Sequence, residues 1–220
     1  MQQIYLDNAA TTPVRPEVEE VMQPYFCEKY GNPSGIYKMA SECRQALETV
    51  RKQIGKTLKV SAEEIYFTSG GTESDNWAIK STAQRLKEKG KHIITSKIEH
   101  HAVLNSCAYL ETQGFEVTYL DVDEWGCVRF DALQRAIRKD TILISIMYAN
   151  NEVGTIQKIA QIGKIAEKND ILFHTDAVQA YGQIPIDVKR ENIHLLSASA
   201  HKFNGPKGVG FLYIDKRVPV

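Results

Sequence analysis

Apolar residues recur along this chain in two rhythms. Over 16–26, Val18, Val21 and Met22 fall on one side of a helical repeat with Pro16 in the first turn, which predicts a helix. A second helix is expected over 41–58, where Ala46, Leu47, Val50 and Ile54 keep helical spacing. Between them, Tyr30-Gly31-Asn32-Pro33-Ser34-Gly35 is punctuated by glycine and proline and reads as a loop. Ser61 with Glu64 resembles a capping box, although the apolar run behind it looks extended.

Beyond this point short apolar runs alternate with amphipathic ones. Strands are expected over 64–68, 92–96, 116–121, 141–149, 171–176, 195–198 and 209–214, and helices over 72–89, 101–113, 131–137 and 159–168. The strand segments are near-continuously apolar, as suits strands buried on both faces. The expected fold class is therefore α/β, with a mostly parallel central sheet of about seven strands flanked by helices. Ligands in such sheets bind beyond the carboxyl ends of the strands. The polar and glycine-rich stretches fall there: Gly70-Gly71-Thr72, Glu99-His100, Asn150-Asn151-Glu152, 176–179 and 199–202.

Composition narrows the field. A chain of 220 residues, 43% hydrophobic and 25% charged, is long enough for one large domain with a substantial core. Its formal net charge of zero gives no support for nucleic acid or an anionic membrane as partner. No apolar run has the length of a membrane-spanning helix, and the opening MQQIYLDNAATTP lacks the basic and apolar blocks of a signal peptide. A cytoplasmic location is expected. Cys27, Cys43, Cys107 and Cys127 are scattered without a CxxC pair, as reduced and structural thiols would be. His92, His174 and His194 show no ligand spacing, so no metal site is expected. In the opening loop, Asp7, Asn8, Thr11 and Thr12 crowd a short stretch and predict a structured turn.

The stretches beyond the strands carry candidate chemistry, each with a plainer reading beside it. Ser69-Gly70-Gly71-Thr72 leads into a helix, where glycines let backbone N–H groups approach a phosphate; it equally suits a simple helix cap, and it is neither a Walker A loop nor a Rossmann fingerprint. Asp176 can hold a protonated ring nitrogen, or cap the segment after it. Gln179 can donate to a phenolate oxygen or make an ordinary polar contact. His100 can stack on a flat ring and move protons, or be structural, while His101 should lie on the surface. Lys202, in SASAHKFNGPKGVG, can form a Schiff base with a carbonyl compound or be a solvated loop lysine. Taken together, an anion site, a ring site, an acid for a ring nitrogen and a lysine for an aldehyde specify pyridoxal 5′-phosphate.

The motifs YLDNAATTP, TSGGTESDN, EHHAV, NNEVGT, HTDAVQA and SASAHKFNGPKG, in this order, resemble those of the cysteine desulfurases, in the class V aminotransferase group of fold-type I pyridoxal-phosphate enzymes. The resemblance runs from end to end of the chain. It implies that Lys202 carries the cofactor, Asp176 pairs with the pyridine nitrogen and Gln179 with the ring hydroxyl. It further implies that His100 stacks on the ring and assists proton transfer, and that Gly71, Thr72, Ser199 and His201 bind the phosphate. Asn151 would lie near the ring and the substrate carboxylate. The implied reaction converts L-cysteine to L-alanine and passes the sulfur, as an enzyme persulfide, to a sulfur-acceptor protein such as an iron–sulfur scaffold or a thiolation enzyme. Family members are homodimers.

Residues 1–14 are expected to join a small domain and 15–220 to form the cofactor-binding large domain, with the C-terminal small domain absent. The family's nucleophilic loop cysteine and substrate-clamping arginine lie well after the lysine. The chain stops at Val220 and none of its four cysteines has the corresponding place, so it is expected to be inactive alone. Two other expectations stay open: a selenocysteine lyase or another enzyme of the group, and a non-catalytic cofactor-binding or scaffold fragment.

Overall fold

The computed structural model describes residues 4–219. The expectation for the segment 1–14 thus falls partly on residues 1–3, outside the described residues, as does Val220. Seven strands form one sheet: β1 (Ile65–Thr68), β2 (His92–Ser96), β3 (Glu116–Leu120), β4 (Thr141–Ser145), β5 (Leu172–Asp176), β6 (Leu195–Ser199) and β7 (Gly210–Ile214). Their spatial order is β1-β7-β6-β5-β4-β2-β3. Only β7 runs against the rest, pairing antiparallel with both β1 and β6. The α/β class and the mostly parallel sheet are as expected.

The apolar runs have the burial they imply. All five residues of β2, β4, β6 and β7 are buried, whereas the edge strands β1 and β3 are only partly covered. Helices α4 (Gly71–Leu86), α5 (His101–Thr112), α6 (Phe130–Ala136) and α7 (Ile159–Lys168) flank the sheet. Helix α4 crosses its centre and packs against β4, β5, β6 and β7. Helix α7 lies so close to the 191 loop that a Cβ on Gly163 would stand 1.9 Å from the Glu191 carbonyl oxygen. None of the described helices is long and apolar enough to cross a membrane.

The structure departs from the expected elements where a local rule competes. The helix over 16–26 is two pieces, α1 (Pro16–Met22) and α2 (Pro24–Cys27). Pro24 has no N–H to give the carbonyl four residues back, and the ladder breaks there. Helix α3 (Lys38–Leu58) begins three residues early, and Leu47 and Val50 on its expected apolar face are 37% and 41% exposed. The Ser61–Glu64 capping box is real, but it starts a single 3-10 turn (Ala62–Glu64) that leads into β1. Strand β4 stops at Ser145, four residues before the apolar run does. Beyond it the Ile146 and Tyr148 N–H groups still reach β5, to His174 O at 3.2 Å and Asp176 O at 2.8 Å. On the β2 side, however, the Met147 N–H meets the Glu99 carboxylate at 3.0 Å instead of a strand carbonyl. A side chain has replaced the ladder just where the site begins.

The core on one face is built around Phe173, fully buried in β5 beside Ile144, Leu196 and Tyr213. Phe173→Ala should cost about 3–5 kcal/mol of unfolding free energy through lost burial and the cavity left behind. Urea denaturation reads this as a lower midpoint at unchanged slope. A loss below about 1 kcal/mol would contradict the central place of β5.

Candidate cofactor site

Every motif placed beyond a strand lines one cavity of about 530 Å³, a size ordinary for a small-molecule site. Among its walls are Gly71, Thr72, His100, Asn151, Asp176, Gln179, Ser199, His201 and Lys202, so all nine candidate residues are brought together.

The anion end is formed where β1 turns into α4. Gly70 has φ +148°, a conformation that side chains disfavour. At Gly71 a Cβ would stand 2.6 Å from the Val178 Cγ2. Small residues here keep the first turn of α4 bare, with the N–H groups that begin any helix free of intrahelical partners. Ser74 Oγ donates to Gly70 O (3.1 Å) and lies 2.8 Å from Thr68 Oγ1, which ties the turn from behind. Ser199, buried at the end of β6, faces this turn.

Asp176 ends β5 with 5% of its surface exposed. Its Oδ1 accepts the Val178 N–H at 2.9 Å, so it does tie the segment after it as well as facing the cavity. Burial pushes its pKa up, and the Val178 N–H, His100 and Lys202 pull against that. Lys202 lies in a 3-10 turn (Ala200–Lys202) directly after β6. Burial lowers its pKa, while the charges of Asp176 and Asp7 oppose the shift. His100 is the N-cap of α5, its Nδ1 accepting the Ala102 N–H at 3.1 Å. The neutral ring therefore carries its proton on Nε2. His101 is exposed, as expected.

Sequence reasoning found a structured turn near the N-terminus but not what that turn does. Asp7, Ala9 and Ala10 line the cavity. Lys202 Nζ donates to the carbonyls of Ala9 and, at 3.0 Å, Ala10, and Gln179 Nε2 donates to Ala9 O at 2.8 Å. Thr12 is bonded to His201 O through both its N–H (2.9 Å) and its hydroxyl (2.8 Å), and His201 Nδ1 is 3.1 Å from Thr11 Oγ1. The stretch is stitched across the lysine turn. Asn150 was also passed over in favour of Asn151. Its Oδ1 accepts the Glu152 and Val153 N–H groups, both at 2.9 Å, and its Nδ2 donates to Ile98 O at 3.0 Å. An Asn two residues before a free N–H was the available signal. Asn151 itself bonds its neighbour Glu152 at 2.6 Å.

The donor set fits pyridoxal 5′-phosphate. The bare, glycine-lined helix start suits a phosphate, and the buried acid suits a protonated ring nitrogen. The amine of lowered basicity suits an aldehyde. Val178, which lines the same cavity, lies against the helix start at Gly71, and its N–H is bonded to the acid.

A model of the aminotransferase class-V family matches residues 4–219. The cysteine desulfurase IscS of Methanosarcina thermophila is 62% identical over 217 residues, covering 99% of this chain and 54% of that protein. The IscS of Dictyoglomus turgidum is 59% identical over 98% of this chain and 55% of its own length. The chain thus spans about half the length of the curated relatives it matches. A solved NifS-like protein superimposes with a TM-score of 0.97 at 45% identity, over 100% of this chain and 60% of the other. The structure of SspA in complex with cysteine gives 0.94 at 45% identity, over 96% and 61%. The match over nearly the whole described chain, on a sheet with its loops gathered at one end, places this protein in the class V aminotransferase family.

Proposed function

We propose that the cavity holds pyridoxal 5′-phosphate and that the protein acts as a cysteine desulfurase, taking L-cysteine to L-alanine and handing the sulfur on. The observation that carries this reading is the pairing, across one cavity, of a half-buried Lys202 with the buried Asp176. The names of the relatives and the cysteine-bound neighbour support the choice of substrate. The cofactor, when bound, supplies an electron sink for the substrate's α-carbon.

The chain's own groups do the rest. Gly71, Thr72, Ser199 and His201 hold the phosphate, and Asp176 the ring nitrogen. Gln179, which donates to Ala9 O in this structure, would hold the ring hydroxyl. Lys202 would be the residue that holds the cofactor aldehyde and the base for the substrate α-proton; its lowered pKa leaves more of the amine neutral for both tasks. His100 would lie against the ring, with Nε2 as the nitrogen left to move protons. Asn151 lies against the substrate carboxylate.

Sulfur removal also needs a thiolate that attacks the substrate sulfur. None of the four cysteines lines the cavity: Cys43 and Cys107 are buried, Cys27 is exposed and Cys127 half-buried. The thiolate is therefore assigned to residues outside these 220. Ile4, Leu6, Phe26 and Ile36 are 77%, 86%, 65% and 102% exposed, apolar surface that a small domain joined by residues 1–14 and the second subunit of a homodimer would cover. The acceptor is an iron–sulfur scaffold or thiolation protein in the cytoplasm.

Borohydride reduction in the presence of pyridoxal phosphate, followed by peptide mapping, should label Lys202 selectively. Lys202→Ala should lose the label. Scattered labelling of a folded chain would sink the cofactor reading. This chain alone should release no alanine from cysteine; robust release would show that the thiolate is among its own residues.

The pH dependence of labelling follows from the charges. Capture needs the neutral amine, so it rises with pH through the Lys202 pKa, at lower pH than for an exposed lysine. Asp176 raises that pKa, so Asp176→Asn should move the rise to still lower pH. An upward move would mean that Asp176 does not face the amine.

A further inference from the structure

Three buried carboxyl groups lie within one another's reach: Asp75 and Asp176 line the cavity, and Glu99 lies behind it in the field of Asp176. Asp176 ends β5, Asp75 lies in the second turn of α4, and Glu99 lies between β2 and α5; each is 5% exposed or less. The roles proposed above use only the first. Their fields oppose one another's ionisation: Asp176 and Glu99 act on Asp75, and Asp176 acts on Glu99. Three like charges so buried and acting on one another do not ionise together.

The hydrogen bonds distinguish the three. Asp176 has the Val178 N–H, and both His100 and Lys202 face it and favour its charged form. Glu99 receives the Ser96 hydroxyl at 2.6 Å and the Met147 N–H at 3.0 Å on Oε1, but its Oε2 is buried without a partner. Asp75 Oδ1 is likewise buried and unpartnered, and burial and the Asp176 charge outweigh the Ser197 hydroxyl that favours its charged form. The remaining titratable neighbours offer no cation. His174 Nε2 is 3.5 Å from Asp75 Oδ1, but its ring is fully buried between Ser145 Oγ (2.8 Å) and Ser197 Oγ (3.0 Å), and burial drives its pKa to about 3. Cys107 of α5, which also faces Glu99, is held as a thiol, its pKa pushed up to about 12.

Resting on the reading of Asp176 as partner of the ring nitrogen, we infer that Asp75 and Glu99 are positioning residues kept as neutral acids, so that the negative charge of this cluster resides on Asp176. Glu99 has a second part in this. Its bond to the Met147 N–H ties the backbone just before His100 to the chain beyond β4, and a neutral carboxyl oxygen still accepts that bond. Burial raises the Glu99 pKa from 4.5 to about 8, so the neutral acid persists through neutral pH.

The sign of the stability effect is fixed by linkage. Between those two pKa values the folded protein holds a proton that the unfolded chain has lost, so Glu99 makes stability fall as pH rises through that window. Other groups contribute their own slopes, and the difference between wild type and Glu99→Gln isolates this one. Thermal unfolding of the cofactor-free protein from about pH 5 to 9 should show a shallower fall for Glu99→Gln, because glutamine stays neutral. In the cofactor-loaded protein, wild-type cofactor absorbance should show an alkaline transition near the Glu99 pKa that Glu99→Gln lacks. A structural role alone would not move that profile. If Glu99→Gln does not fold, Asp75→Asn is read in the same two ways. Identical pH slopes and profiles in wild type and the neutral variant overturn the inference. Failure of wild type to take up pyridoxal phosphate overturns the cofactor reading instead, and the unfolding slopes still decide the state of Glu99.

Discussion

Asp176 sits where an ionised carboxylate is hardest to keep, at the buried end of a central strand with neighbours on both sides. Desolvation favours its neutral form, and only a nearby donor or cation reverses that. Much of the surrounding architecture answers this requirement. The Val178 N–H is aimed at it by the turn after β5, Lys202 is brought in by the turn after β6, and His100 by the start of α5. The parallel sheet delivers three loop ends to one place because its strands share a direction. The last residues of β5 and β6 are buried, which gives the charges there their effect on one another.

The N-terminal stretch shows how a loop of little regular structure is held in such a place. It has few buried apolar side chains to anchor it, with Ile4 and Leu6 largely exposed. It is held by polar bonds instead, above all the paired Thr12 bonds to the His201 carbonyl and the Asn204 N–H to Thr12 Oγ1 at 2.8 Å. Each is worth on the order of 1 kcal/mol net. Their number fixes the loop, and its carbonyls become acceptors for Lys202 and Gln179. Both side chains are thereby oriented into the cavity in advance of any ligand.

The sequence carried the sheet because burial on both faces imposes near-continuous apolar runs, and β2 and α7 are where the chain pattern put them. The candidate site was legible for the same reason: polar motifs after buried strands have few other uses. What stayed hidden depends on contacts between distant segments. The Ala9 and Ala10 carbonyls are invisible as chemistry in a sequence, since any residue has a carbonyl. Glu99 stands in the sequence only as part of the Glu99-His100 motif after β2, with no role of its own, until the structure shows its carboxyl group taking the Met147 N–H beyond β4. The run 141–149 is as apolar as a long strand, yet it leaves the ladder early because that side chain displaces the strand partner.

That displacement ties the polar cluster to the fold itself. A strand carbonyl in the place of Glu99 would accept the Met147 N–H just as well, and would satisfy the backbone without a buried acid. The carboxyl does something a carbonyl cannot: it brings an ionisable group into the field of Asp176 while fixing the two chain segments that present His100 and Asn150. Position and electrostatics are then set by one residue. Loss of the Glu99 side chain would loosen two chain segments beside the cavity and remove the cluster's alkaline titration together, whereas a neutral isostere separates the two effects.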